Sequence, residues 1–323
     1  MVAPGPLVRV DAVRSLDPSG RAEVQALLDE AQQADGFLEL SDDARFVVGE
    51  DPPPGALVLL ARAGTSGDLT GVSTLRKLAG AWVIESAVRP DRRDDQGGVR
   101  AALLDAALAE VAARGGGTVD AWLRTDAGRL AALFVSRGLR PSRELLQLRA
   151  ALLPEAVYDA TSPPLQVRPF RPGRDDDAWL AVNARAFAGH PEQGSWTLAD
   201  LRRREQEPWF DPTGFLLHDE GDRLAGFCWT KVHRSPVLGE IYVIGVDPDF
   251  QGRGLGRGLA RAGLGHLATR AVPTAMLYVE ATNTPALVLY RSLGFTEDHR
   301  EVEFEGTVPA GAQPDAPTAR PMP

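Results

Sequence analysis

One stretch constrains this chain more than any other: Ile241-Tyr-Val-Ile-Gly-Val-Asp-Pro-Asp-Phe-Gln251-Gly-Arg-Gly-Leu-Gly-Arg-Gly258. Its apolar, β-branched start reads as a strand, and Pro248 stops that strand because proline cannot donate to a ladder. Beyond the glycines, Leu255, Leu259, Gly263 and Leu267 recur every fourth residue, which predicts a helix. Gly252, Gly254 and Gly256 can turn backbone N–H groups toward a ligand with no Cβ in the way. A helix N-terminus adds partial positive charge, so the turn is a candidate anion cradle, with Arg253 and Arg257 on its rim. A P-loop is excluded, because no Gly-Lys-Ser/Thr follows. A dinucleotide fingerprint fails too, since the third glycine would fall on Arg257 in one register and Leu259 in the other.

The same order of elements occurs twice. The C-terminal run is predicted as strands at 215–217, 224–232 and 239–246, a helix at 255–270, a strand at 275–281, a helix at 284–293 and a strand at 295–304. An N-terminal run has strands at 56–63, 69–78 and 81–88, a helix at 99–114, a strand at 118–123 and a helix ending near Gly138. At a nearly fixed offset Pro90 matches Pro248, Gly98 matches Gly256 and Gly138 matches Gly294. A repeat of domain length means duplicated domains rather than a solenoid, and strands interleaved with helices mean α/β layering. Thr161-Ser-Pro-Pro164 reads as the linker. Domains are therefore expected at 1–160 and 161–305, with an unstructured Pro/Ala/Gly-rich tail at 306–323.

Composition bounds the partners. A formal net charge of −9 with mixed Arg, Asp and Glu disfavours nucleic acid. No segment is apolar enough to span a membrane, and no signal peptide is evident at Met1-Val-Ala-Pro-Gly-Pro. The single cysteine, Cys228, allows no internal disulfide and fits a cytoplasmic location. It lies in a predicted strand and reads as a small buried apolar residue. His190 and His233 lack metal-ligand spacing and read as structural, so no metal is expected.

The glycine stretch resembles the Gcn5-related N-acetyltransferase superfamily, whose pyrophosphate signature Q/R-x-x-G-x-G/A is met by Gln251-Gly-Arg-Gly254-Leu-Gly256. Met276-Leu-Tyr-Val-Glu280, Asn283 and Tyr290-Arg-Ser-Leu-Gly294-Phe295 match later elements, so the resemblance covers 165–305. It implies two tandem acetyltransferase domains, each a mixed, mostly antiparallel sheet with splayed central strands and flanking helices. It also implies acetyl-CoA as co-substrate. Residues implied to hold the coenzyme are Ile244, Gly245 and Val246 by main chain, Gln251, Gly252, Arg253, Gly254, Leu255, Gly256 and Arg257 in the loop, and Asn283 and Ala286 beyond. A backbone N–H near Ile244–Val246 would hold the developing oxyanion. Glu240 is the candidate base, and Tyr290 the candidate acid for the departing thiolate. At the aligned positions the N-terminal half carries Trp82 and Phe134, which move no proton. Its loop carries Asp94 and Asp95, which would repel pyrophosphate, so that half is expected to be inactive.

Longer matches point to one family within the superfamily. Ala186–Gln193, Trp209–Pro212, Trp229–His233 and Leu238–Val243 look like the mycothiol synthases. That resemblance implies acetyl transfer to the cysteinyl amine of a cysteinyl-glucosaminyl-inositol, the last step of mycothiol synthesis. It implies an acceptor pocket of Asp42, Glu192, Lys231, Glu240 and Tyr278. A monomer with a small-molecule substrate is expected. Two other readings stay open: a tandem N-acetyltransferase for an aminoglycoside, peptide or polyamine, and a non-catalytic acyl-CoA sensor. Retention of both Glu240 and Tyr290 in one half speaks against the sensor.

Overall fold

The structure is a computed structural model that describes residues 8–37, 39–64, 66–93, 98–124, 127–152, 164–190, 193–234 and 236–311. The chain forms two compact units, one of Met1–Arg143 with Glu301–Pro323 and the other of Glu144–Arg300.

In the first unit the order is β1 (Val8–Val13), α1 (Pro18–Asp35), α2 (Asp42–Val48), β2 (Leu57–Ala63), β3 (Leu69–Leu78), β4 (Ala81–Val88), α3 (Gly98–Ala113), β5 (Gly117–Leu123) and α4 (Ala127–Val135). Strands β1 to β4 form an antiparallel meander. Strand β5 runs parallel to β4 and pairs with it only at Trp82, Val83 and Ile84. One face of the sheet packs on α3 through Leu57, Leu75, Ile84, Val99 and Leu103. The other packs on α1 and α2 through Val24, Leu27, Ala44, Val58 and Ala87. This alternation is what a strand period of two requires of a sheet covered on both faces.

The chain enters the second unit within β6 (Arg140–Ala151) and continues through β7 (Arg168–Pro169), α5 (Asp176–Ala186), α6 (Leu198–Glu205), β8 (Phe215–Glu220), β9 (Arg223–Arg234), β10 (Val237–Val246), α7 (Leu255–Thr269), β11 (Thr274–Glu280) and α8 (Thr284–Ser292). It leaves within β12 (Thr296–Val308). Here too the central pair is parallel and brief: β10 meets β11 only at Gly239 and Glu240, then diverges. On one face α7 and α8 pack through Leu259, Leu264, Leu277, Leu287 and Tyr290. On the other lies an aromatic cluster in which Phe215 stacks on Trp229 at 4.2 Å and Trp179 meets both edge-on.

The two units do not divide at residue 160. Residues 145–151 of β6 pair with the outer edge of β11, and residues 302–308 of β12 pair with β5. In each unit the strand beyond the central parallel pair is thus supplied by the other half of the chain, which covers an edge that would otherwise present unpaired N–H and C=O groups. The expected tail also starts later than 306. Gly306, Thr307 and Val308 pair with Val119, Thr118 and Gly117. Gly306 passes close to its neighbours there: a Cβ would lie 2.6 Å from the Leu139 side chain and 3.0 Å from Gly138 O. The expected linker at 161–164 lies almost wholly outside the described residues.

Candidate active site

The site grows from one irregularity in β10. In the β9–β10 ladder Glu240 faces Lys231 and Ile241 faces Thr230, but Val243 faces Trp229, so Tyr242 is an extra residue in a β-bulge. Its ring packs against Trp209 at 5.0 Å and Trp229 at 5.4 Å, and its hydroxyl accepts a 2.9 Å bond from Arg204 Nε. A regular ladder would have sent either Tyr242 or Val243 into the α7 face. The bulge lets both face α5 and α6 while Glu240 keeps that same side.

On that side the sheet is polar. Glu240 is buried, and its Oε2 lies 2.7 Å from His233 Nε2. Lys231, directly across from Glu240, is buried with its ammonium over the rings of Trp209 (4.6 Å) and Tyr242 (5.2 Å). On β11, Met276 pairs with Glu240 and Tyr278 follows two residues on, so it shares the face. The Tyr278 hydroxyl accepts a 2.7 Å bond from Gln147 Nε2, and Gln147 Oε1 accepts from Arg149 Nε at 3.0 Å. The structure therefore brings Lys231, Glu240 and Tyr278 together. It adds His233, which reads as structural from sequence, and Gln147 and Arg149, which sequence reasoning passed over. The hairpin register explains the place of His233: with Glu240 opposite Lys231, residues 233 and 240 are diagonal neighbours on one face.

Beyond Glu240 the edge of β10 that faces away from β9 has lost β11. The main-chain groups of Ile244 and Val246 point to that edge, since Asp247 N–H turns the other way, to Ala225 O. Gly245 between them is obligatory, as a Cβ would lie 2.8 Å from Phe227. A short 3-10 turn at Pro248–Phe250 follows, and buried Asp247, held by Arg185 at 2.9 and 3.0 Å, caps it. Gln251 Nε2 then donates to Val246 O at 3.2 Å. Gly252 (φ 76°) and Gly254 (φ 80°) adopt left-handed backbone that only glycine takes readily. Gly254 is the N-cap of α7 and supplies no side chain, so the first amides of the helix are left to a ligand. Arg257 is exposed, whereas Arg253 pairs with Glu220 at 3.2 Å and covers the Phe250 ring. Asn283 caps α8 by accepting from Ala286 N at 3.2 Å, so these two candidates contact each other.

Tyr290 is buried beside Phe295, at 5.9 Å between ring centroids. Burial, with the neighbouring Cys228 thiol, pushes its hydroxyl well above the usual phenol range. Burial likewise pushes Cys228 up to about 12, which suits an inert core thiol. Asp42 begins α2 in the first unit, half-buried at a helix N-terminus capped by Ser41. Glu192 lies outside the described residues, as do Asp94 and Asp95. Among the described residues no three His, Cys, Asp or Glu gather as metal ligands.

The first unit repeats this plan with two corrections to the sequence alignment. Its β3–β4 ladder has no bulge, so Val83 rather than Trp82 stands at the place of Glu240, and Trp82 belongs to the α3-side core. The buried stripe of α3, Val99, Leu103, Leu104, Ala107 and Val111, superposes on Leu255, Leu259, Ala260, Gly263 and Leu267 of α7. Gly98 therefore matches Gly254, because the first loop is two residues longer (Pro90 to Gly98 against Pro248 to Gly254). Arg100 then stands where the second unit has Gly256. Its guanidinium turns back onto the open edge of β4, donating to Ser86 O at 3.1 Å. Glu39 takes the Val88 N–H at 3.0 Å, Arg93 donates to Val88 O at 3.1 Å, and both arginines pair with Glu39. Val88 O is thus taken by a side chain just as Val246 O is by Gln251, but in the first unit Glu39 and Arg100 also take the Val88 N–H and Ser86 O. Phe134 matches Tyr290 in both local geometry and burial.

Comparison with known proteins agrees with this architecture. Residues 179–295 match the profile of the Acetyltransferase (GNAT) family. A mycothiol acetyltransferase of Geodermatophilus obscurus is 44% identical over 93% of this chain and 97% of its own. One of Thermobispora bispora is 42% identical over 86% and 93%. A tandem GNAT protein from the clavulanic acid biosynthesis pathway superposes with a TM-score of 0.71 at 16% identity, over 95% of this chain and 100% of its own. A GCN5-related N-acetyltransferase from Sphaerobacter thermophilus gives 0.68 at 23% identity, over 94% and 97%. The chain belongs to the mycothiol acetyltransferase family of GNAT acetyltransferases.

Proposed function

We propose that the second unit transfers the acetyl group of acetyl-CoA to the cysteinyl amine of a cysteinyl-glucosaminyl-inositol. The observation that carries this reading is the divergence of β10 from β11 just after Glu240, which turns the main chain of Ile244 and the Val246 N–H to an edge without a strand, beside a buried carboxylate. In the proposal, the pantetheine arm pairs with Ile244 and Val246. The pyrophosphate sits on the amides of Gly252 to Arg257, where oriented N–H groups and the helix dipole favour an anion. Because Arg253 is engaged by Glu220, Arg257 is the side chain left to meet phosphate oxygens. The caps of α7 and α8, Gly254 and Asn283, flank this path.

The chemistry needs three proton movements. Glu240 takes a proton from the acceptor ammonium. The freed nitrogen lone pair attacks the thioester carbonyl, the C–N bond forms, and negative charge gathers on an oxygen facing the β10 amides. The C–S bond then breaks as the nitrogen gives up its second proton to solvent. The departing sulfur takes the proton of Tyr290, which burial holds protonated until that step, and solvent returns a proton to the phenolate. A free α-amine titrates near pH 8, so a mild base suffices. Lys231 and Tyr278 flank Glu240 on the acceptor side, where hydroxyl-rich groups would find hydrogen-bonding partners.

The names of the relatives support this acceptor. An acetyl-CoA consumption assay with the cysteinyl-glucosaminyl-inositol against aminoglycoside, peptide and polyamine amines tests it. The reading predicts turnover at least about 100-fold more efficient for the first. Preference for a polyamine or peptide would overturn the acceptor and leave the acetyl transfer standing.

A further inference from the structure

We infer that His233 is the positioning residue of this site, fixing the Glu240 carboxylate through its Nε2–H so that one carboxylate oxygen is reserved for the acceptor amine. The inference rests on the reading of Glu240 as the base. Glu240 Oε2 and His233 Nε2 are 2.7 Å apart, the length of a charge-assisted hydrogen bond. Only 11% of the histidine side chain and 8% of the glutamate side chain are exposed, so water is a poor substitute partner for either. The pair is set by the hairpin: Glu240 faces Lys231 across the ladder, and His233, two residues on, shares that face. Lys231 is held in its own place by the Trp209 and Tyr242 rings. A glutamate with three free torsions presents its oxygens in many directions. With Oε2 held, Oε1 points to one. This follows the general pattern in which a base is itself oriented by a third group.

A double-mutant cycle on the full chain tests this, with kcat, KM for acetyl-CoA and KM for the acceptor measured for His233→Ala, Glu240→Ala, the double variant and His233→Gln. His233→Ala is expected to lower kcat on the order of tenfold with KM for acetyl-CoA unchanged. His233→Gln keeps an N–H donor at a similar reach and is expected to recover most of the loss, although it cannot titrate. In the Glu240→Ala background, removing His233 is expected to cost nothing further. If Glu240→Ala alone leaves kcat intact, the base assignment falls and this inference with it. If Glu240→Ala is crippling but His233→Ala is not, only the inference falls. An equal loss from His233→Ala in both backgrounds, or no recovery in His233→Gln, also overturns it. If His233→Ala does not fold, His233→Gln decides: a kcat near that of the native chain supports donation to Glu240, and a loss as deep as Glu240→Ala overturns it.

Discussion

At the scale of single residues, the account turns on glycines and on one carboxylate. Gly254 ends the loop with φ 80° and no atom within 4 Å of where a Cβ would stand. A substitution there meets backbone strain rather than a clash, about 1–2 kcal/mol for a left-handed residue. Gly254→Val is therefore expected to weaken acetyl-CoA binding at least about tenfold while the protein stays folded. Undiminished affinity in calorimetry would remove the loop from the coenzyme site. These glycines were legible from sequence, because their spacing after a strand leaves few alternatives. His233 was not, because a lone histidine without ligand spacing carries no signal until the hairpin register is known.

At the scale of elements, the bulge at Tyr242 puts two successive residues on the face that carries Glu240. The register is regular on either side of it, with Glu240 and Ile241 facing Lys231 and Thr230 and Val243 facing Trp229. Deleting Tyr242 would therefore give β10 the regular ladder of β4 and leave Glu240 on its own face, where Val83 stands in β4. What the deletion removes is a ring beneath the Lys231 ammonium and the partner of Arg204. The expected result is a rise of about tenfold in KM for the acceptor, with KM for acetyl-CoA unchanged, in a chain that retains its circular dichroism. An unchanged KM for the acceptor would show that Tyr242 does not shape the acceptor side. The bulge was hidden from sequence: the repeat aligned on Pro90 and Pro248 without a gap, and so placed Trp82 opposite Glu240. The inference that the first half lacks the base survives the correction, since Val83 moves no proton either. Strand and helix positions in both repeats were legible because each has strong apolar periodicity. β6 was missed, since Arg140–Glu144 breaks any simple alternation with charge.

At the scale of the whole molecule, duplication has produced two units with one plan and different edges. Each unit's sheet is completed by a strand from the other half of the chain, so the linker in the sequence is not the boundary of the compact units. Sequence cannot show such an exchange, because it depends on which edge is left open rather than on any local pattern. The units differ most at the splayed edge. In the second, the matching helix position is Gly256, which has no side chain to turn onto β10, and the side-chain bond described on that edge is the one from Gln251 to Val246 O. In the first, Arg100 fills the matching place, and with Glu39 and Arg93 it occupies the Ser86 and Val88 main-chain groups. The expected repulsion by Asp94 and Asp95 is thus not needed to explain a closed first unit.

The most direct test of this account is a calorimetric titration of the full chain with acetyl-CoA, alongside G256R, which places in the second unit the residue that closes the first. The account predicts one equivalent bound by the native chain and none by the folded variant. Two equivalents for the native chain, or one retained by G256R, would contradict it.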